Sequence, residues 1–250
     1  PRHNKGIHDP LYAACLYLTD GKEKLALVTM DIIGISKKYV QEVRKQVQKN
    51  CGIPEKNILI CVSHSHSAPR ASSSMTMDAF EGHNEPDAEY VDFIICSLVD
   101  MITEAATNAF TAEIGIEKGF CGREQGVGGN RRDPKGIADP EVWTIGVKDD
   151  KGVLRGVLLK YTLHPTFLHY DNFLVSADYP GYVREYVKKC APEAVFLFAQ
   201  GTSGNQSPRY FRSGKTFAEA ERVGTEIGEG VEKVLEKMEF SKNVPLSVKS

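Results

Sequence analysis

Three of the seven histidines in the sequence sit where apolar runs stop. His64 and His66 follow "NILICVS", residues 57–63, and open the stretch "HSHSAP". His164 follows "VLLKYTL", residues 157–163, and is itself followed by Pro165. Neutral imidazole is a common zinc ligand, and an extended His-x-His puts both rings on one face. Taken alone, the short His-x-His is better explained by a pair of surface or hydrogen-bonded histidines. The third histidine, at the exit of a second apolar run, moves the reading to a metal site. Asp31 closes another such run, "LALVTMD". Its carboxylate could ligate a metal, orient a ligating histidine from behind, or cap a turn before Gly34. His3, His8, His83 and His169 read as polar surface.

Further polar groups cluster in loops. Arg131 and Arg132 lie in "GGNRRDP", where a guanidinium can hold a carbonyl, carboxylate or phosphate oxygen or simply face water. The glycines of "GVGGN" do not lead from a strand into a helix with dinucleotide-loop spacing. Ser203 is no nucleophile elbow, because the glycine that motif needs at 205 is Asn205. Ser207, before Pro208, reads first as a turn residue, and Asp178 as the N-cap of a helix.

The elements that must position these groups follow from periodicity. Residues 11–31 read as two strands joined at Asp20-Gly21, a hairpin turn signal. A helix over 36–50 carries Tyr39, Val40, Val43 and Val47 at helical spacing and ends before Gly52. Residues 57–63 form a buried strand, 67–86 a loop, and 87–110 a long helix with one broad apolar face. A strand over 111–120, a polar loop over 121–140 and a hairpin over 142–165 come next. Loop 166–178, helix 179–190, strand 194–200, loop 201–214 and helix 216–238 complete the pattern. The segment "PLSVKS" looks like the opening of a further strand. Alternating strands and helices with hairpins mixed in predict an α/β fold with a mixed sheet and helices packed on it. Four polar loops, 31–36, 63–86, 164–178 and 200–214, follow four apolar strands, which is where sites gather in such sheets.

Composition narrows the classes. The 250 residues suit a single α/β domain over 1–250. A net charge of −2 and the lack of a basic block argue against nucleic acid as a partner. No apolar run approaches the roughly 20 residues of a membrane helix. None of the six cysteines forms a Cys-x-x-Cys pair, and several sit inside apolar runs, so buried reduced thiols and a cytoplasmic setting are favoured. The abrupt start at "PRHNKGIHDP" suggests an upstream piece.

The ordered set "HSHSAP", "NRRDP", "LHPTF" with "SADYPGY", and "GNQSP" resembles the motifs of the neutral/alkaline non-lysosomal ceramidase family. Order and spacing agree over residues 25–210. The resemblance implies the ceramidase-like catalytic fold and a zinc-dependent amidase acting on a lipid or small-molecule N-acyl substrate. It implies His64 and His164 as zinc ligands and His66 as the residue facing substrate or the attacking water. It implies Arg131 as the group that polarises the reacting carbonyl and Ser207 as the serine of the family's Ser-Pro-Asn stretch, once proposed as nucleophile. The family completes its zinc site with a Glu and a Tyr, which the resemblance places beyond Ser250, and its members are often secreted or membrane-associated. Ala68, Pro165, Ala177 and Asn205 depart from the family's motifs, and "HPTFLHYDN" is bulkier than its counterpart. A binding module of ceramidase-like fold and a two-metal hydrolase of phosphate esters or cyclic amides stay open beside the amidase.

Overall fold

The alternation of apolar residues builds two mixed sheets, one more than the single sheet expected. A computed structural model describes residues 4–72, 85–168 and 171–249. The expected loop 67–86 and His3, His83 and His169 therefore fall wholly or partly outside the described residues. The first half of the chain runs β1 (Gly6–Ile7), β2 (Ala13–Thr19), β3 (Lys24–Met30), α1 (Lys37–Cys51), β4 (Ile58–Val62), α2 (Ala88–Thr107) and β5 (Ala112–Phe120). The second half runs β6 (Gly129–Asn130), β7 (Glu141–Asp149), β8 (Leu154–Tyr161), β9 (Leu174–Val175), α3 (Tyr179–Cys190), β10 (Val195–Gln200), β11 (Gln206–Ser207) and α4 (Phe217–Glu236).

The first sheet has the order β2-β3-β4, antiparallel then parallel. Alternate residues of β3, Ala26, Val28 and Met30, face a core shared with Val43 and Val47 of α1 and Ile94, Leu98 and Ile102 of α2. The second sheet has the order β10-β8-β7-β5. Val157, Leu159 and Tyr161 of β8 and Phe196 and Phe198 of β10 face a second core, filled by Val183 and Val187 of α3 and Val223, Ile227 and Val231 of α4. Leu197, between those two phenylalanines, is buried on the opposite face of its sheet, and β10 lies against all three strands of the first sheet. The result is four layers, helix pair, sheet, sheet, helix pair, with the C-terminal ends of β3 and β4 beside the exits of β8 and β10.

Local chemistry fixes the element ends. Gly52 takes a left-handed backbone (φ 65°) and its N–H donates to Gln48 O, which stops α1. Asp87 Oδ1 accepts from Tyr90 N at the start of α2, and Thr216 Oγ1 accepts from Glu219 N at the start of α4. Residues 243–249 form no strand, so "PLSVKS" is not the strand its sequence suggests. All six cysteines are free, but Cys96 and Cys190 are exposed rather than buried. Burial pushes the Cys15 and Cys121 thiols up to about 12, which leaves both protonated and inert near neutral pH. Among the described residues, no helix is long and apolar enough to cross a membrane.

Candidate metal centre

The strand that leads to His64 ends at Val62, and the backbone then turns. His64 adopts a left-handed conformation, φ 66°, held by Ser63 N donating to Met30 O and His64 N donating to Ile32 O. The extended geometry expected across His64-Ser65-His66 is therefore absent. The rings converge because the chain turns, not because a strand alternates. His164 lies three residues past the end of β8, in a turn where its own N–H donates to Gln206 O. A main-chain bond from His66 N to Pro165 O at 3.4 Å joins the two loops. Ser65 Oγ, buried, donates to Ser176 O, and Ser176 N donates to Ser67 O. One sheet thus supplies His64 and His66 and the other supplies His164.

The three histidines offer ligand atoms that all lie within 4.8 Å of one another. His64 Nδ1 lies 2.7 Å from Ile33 O, and His164 Nδ1 lies 3.2 Å from Ser203 O. A carbonyl oxygen only accepts, so each Nδ1 carries the proton and each Nε2 keeps its lone pair. That is the tautomer a metal-ligating imidazole needs, fixed from behind by main chain. His66 Nε2 sits 3.2 Å from His164 Nε2. Two ligand atoms on a tetrahedron with Zn–N bonds of about 2.0–2.1 Å lie roughly 3.3 Å apart, a spacing that His66 and His164 meet, while the ligand atom of His64 lies within 4.8 Å of both. His66 differs from the other two, because no partner fixes its Nδ1 among the described residues. Desolvation of its ring, though the residue as a whole is exposed, then the neighbouring His64, His164 and Arg131, pulls the His66 pKa down to about 4. Burial also lowers His164, against the bond to Ser203 O that raises it. Both rings are therefore neutral near pH 7.

Arg131 reaches the site by a separate route. Two-residue β6 pairs antiparallel with two-residue β11, and Arg131 N donates to Asn205 O. These short strands lie inside stretches that read as loops, where two residues give no period. Asn130 Oδ1 accepts from Arg132 N and Asp133 N and shapes the turn that presents Arg131. Arg131, His66 and Ser207 line one cleft of about 610 Å³, with Leu168, Phe173 and Leu174 along its wall. Ser207 is buried, and its Oγ accepts from Arg209 N, so it supports the turn that carries Arg209. No hydrogen bond links that hydroxyl to a histidine among the described residues. Arg132 is exposed.

Asp31 does not join the cluster. Its buried carboxylate pairs with Arg184 at 2.6 Å and accepts from Tyr12 N. Burial raises its pKa, and Arg184 opposes that rise. Asp31 anchors the first sheet to α3, while the residue two further on, Ile33, supplies the carbonyl that orients His64. Asp178 is the N-cap expected, accepting from Tyr179 N, but its second oxygen also accepts from Phe167 N and Leu168 N behind His164. It too has a positive φ, 60°. The two positive-φ non-glycine residues among those described, His64 and Asp178, thus both belong to the loops that hold the histidines. Ile33 O and Ser203 O carried no signal in the sequence, since a main-chain carbonyl looks the same at every residue.

Residues 1–219 match the neutral/alkaline non-lysosomal ceramidase family, in its N-terminal part. The chain belongs to this family. Among solved structures, a ceramidase complexed with C2 superposes with a TM-score of 0.80 at 19% identity, over 94% of this chain and 40% of that one. The neutral ceramidase from Pseudomonas aeruginosa superposes with a TM-score of 0.79 at 19% identity, over 93% of this chain and 40% of that one. The ceramidase fold is thereby shared across nearly the whole chain, which spans about two fifths of the length of those relatives.

Proposed function

We propose that this ceramidase-family chain is a zinc-dependent amidohydrolase that cleaves an N-acyl amide bond, ceramide-like or smaller. The observation that carries the reading is the tautomer of the two anchored rings. Main-chain carbonyls at Ile33 and Ser203 leave the Nε2 of His64 and His164 free to ligate. His64 and His164 hold the ion, and His66, with no group fixing its Nδ1, stays beside it as proton carrier. When bound, zinc supplies the Lewis acidity that makes water nucleophilic near neutral pH.

The chain's own residues do the rest. His66 takes the proton of the attacking water and returns it to the leaving nitrogen. Arg131 holds the acyl oxygen as negative charge develops on it. The water oxygen bonds to the acyl carbon, the C–N bond breaks, and a carboxylic acid and an amine leave, which at neutral pH are carboxylate and ammonium. Ser207 acts by holding the loop that carries Arg209, not as nucleophile. The test is release of free amine from short- and long-chain N-acyl amines by the zinc-loaded chain. Release that needs zinc and disappears in His66→Ala supports the reading. Zinc-loaded protein that binds such amides and never releases amine contradicts it and favours a binding module.

A further inference from the structure

The cleft beside the histidines carries more positive charge than cleavage of a neutral amide needs. Arg131, Arg209 and Arg212 line it together with His66, and no Asp or Glu lines it among the described residues. None of the three arginines makes an ion pair among the described residues. Arg212 donates to the carbonyls of Thr166 and Phe167 through one nitrogen, and Arg209 donates to Arg131 O at 3.4 Å through one of its own. Each guanidinium has five N–H donors in a planar fork, so most of them stay available. Burial lowers the pKa of Arg212, the nearby Asp178 opposes that fall, and Arg209 adds a smaller lowering. Both guanidinium groups line the same cleft, so a bound anion can accept from each of them. Across the cleft, Leu168, Phe173, Leu174 and Val175 form an apolar wall suited to a hydrocarbon chain.

We infer that this cleft selects an N-acyl compound carrying an anionic group, a carboxylate or a phosphate, which the pair Arg209 and Arg212 holds while the acyl chain lies on the apolar wall. The inference rests on the hydrolase reading for what happens next, but its test does not need turnover. The probes are N-octanoylglycine, N-octanoyl-O-phosphoethanolamine and the neutral N-octanoylethanolamine, titrated calorimetrically into the intact chain. At least one anionic probe should bind tenfold or more tightly than the neutral one, and the tighter of the two identifies the group. That preference should shrink as salt rises from 50 to 500 mM and fall at least fivefold in Arg209→Gln. Equal binding of all three probes, binding of none, or a preference unchanged in Arg209→Gln would each overturn it. Selective anion binding without amine release would leave this inference standing and defeat the hydrolase reading alone.

Discussion

A left-handed backbone at a residue with a Cβ costs on the order of 1–3 kcal/mol. At His64 two features offset that cost: the ring's bond to Ile33 O and the main-chain bond to Ile32 O, each contributing about 0.5–1.5 kcal/mol. The conformation turns the chain so that both rings meet His164, and only the first is fixed at Nδ1 by a main-chain carbonyl. In the proposed mechanism His64 and His66 have different duties despite identical chemistry. We expect His66→Ala to keep its zinc and lose at least 100-fold in kcat, measured by metal analysis and steady-state kinetics on one preparation. Loss of zinc from that variant would instead make His66 a ligand. Arg131→Ala should lower kcat by about 10²–10³-fold with a small change in KM, as for a donor to a developing oxyanion. A change confined to KM would place Arg131 in ground-state binding instead. At this scale the sequence made the histidines legible by type and by their place after apolar runs. It concealed how they converge, because nothing in "HSHS" distinguishes an extended backbone from a left-handed one.

The helices act on the site through their first turns. Glu219, buried at the start of α4, accepts from Arg222, Ser213 N and Ser213 Oγ, and so ties down the loop that carries Arg209 and Arg212. The bond from Arg222, with those from Ser213, holds its carboxyl at about 2, below the ordinary 4.5. A carboxyl depressed on folding stabilises above its unfolded pKa and loses that contribution as pH falls. The contribution, on the order of 3 kcal/mol, is thus present above 4.5 and disappears towards 2. Glu219→Gln should melt lower at pH 7 and show a flatter decline in stability between pH 4.5 and 2.5. An unchanged acid slope would mean that the carboxyl is not depressed. Gly224 lets α4 lie close on α3: a Cβ there would sit 2.4 Å from Tyr182 Cβ and 2.9 Å from Tyr179 O. Gly224→Ala gains up to about 1 kcal/mol in helix propensity but forces an overpacked contact costing roughly 1–3 kcal/mol. It should lower the thermal midpoint, and a rise would show that the helices separate freely. The long helices and the main strands were legible because their apolar period repeats several times. The pairings β1 with β9 and β6 with β11 were not, because two residues carry no period.

Across the molecule, the functional loops gather where two sheets meet. The order β2-β3-β4 brings the exits of β3 and β4 together, and the parallel pair β8 and β10 does the same in the second sheet. Ile33 O and His64 come from the first pair of exits; His164 and Ser203 O come from the second. Each pair of neighbouring parallel strands thus delivers one ring and the carbonyl that fixes its tautomer. The sequence announced an α/β fold and four polar loops after four apolar strands, but not the division into two sheets. That division depends on which strands pair over long range, and periodicity within a strand is silent about its neighbour. Asp31 illustrates the consequence: at the end of an apolar strand it read as a metal ligand or support, and the packing of α3 gives it Arg184 instead. The central claim is that the anchored rings of His64 and His164, one from each sheet, together hold a zinc ion. Zinc content per chain, measured on the purified protein and on His64→Ala and His164→Ala after dialysis against trace zinc, tests it directly. About one zinc is expected in the parent chain and less than a tenth of that in each variant, with folding retained by circular dichroism. Equal zinc in all three proteins would contradict it.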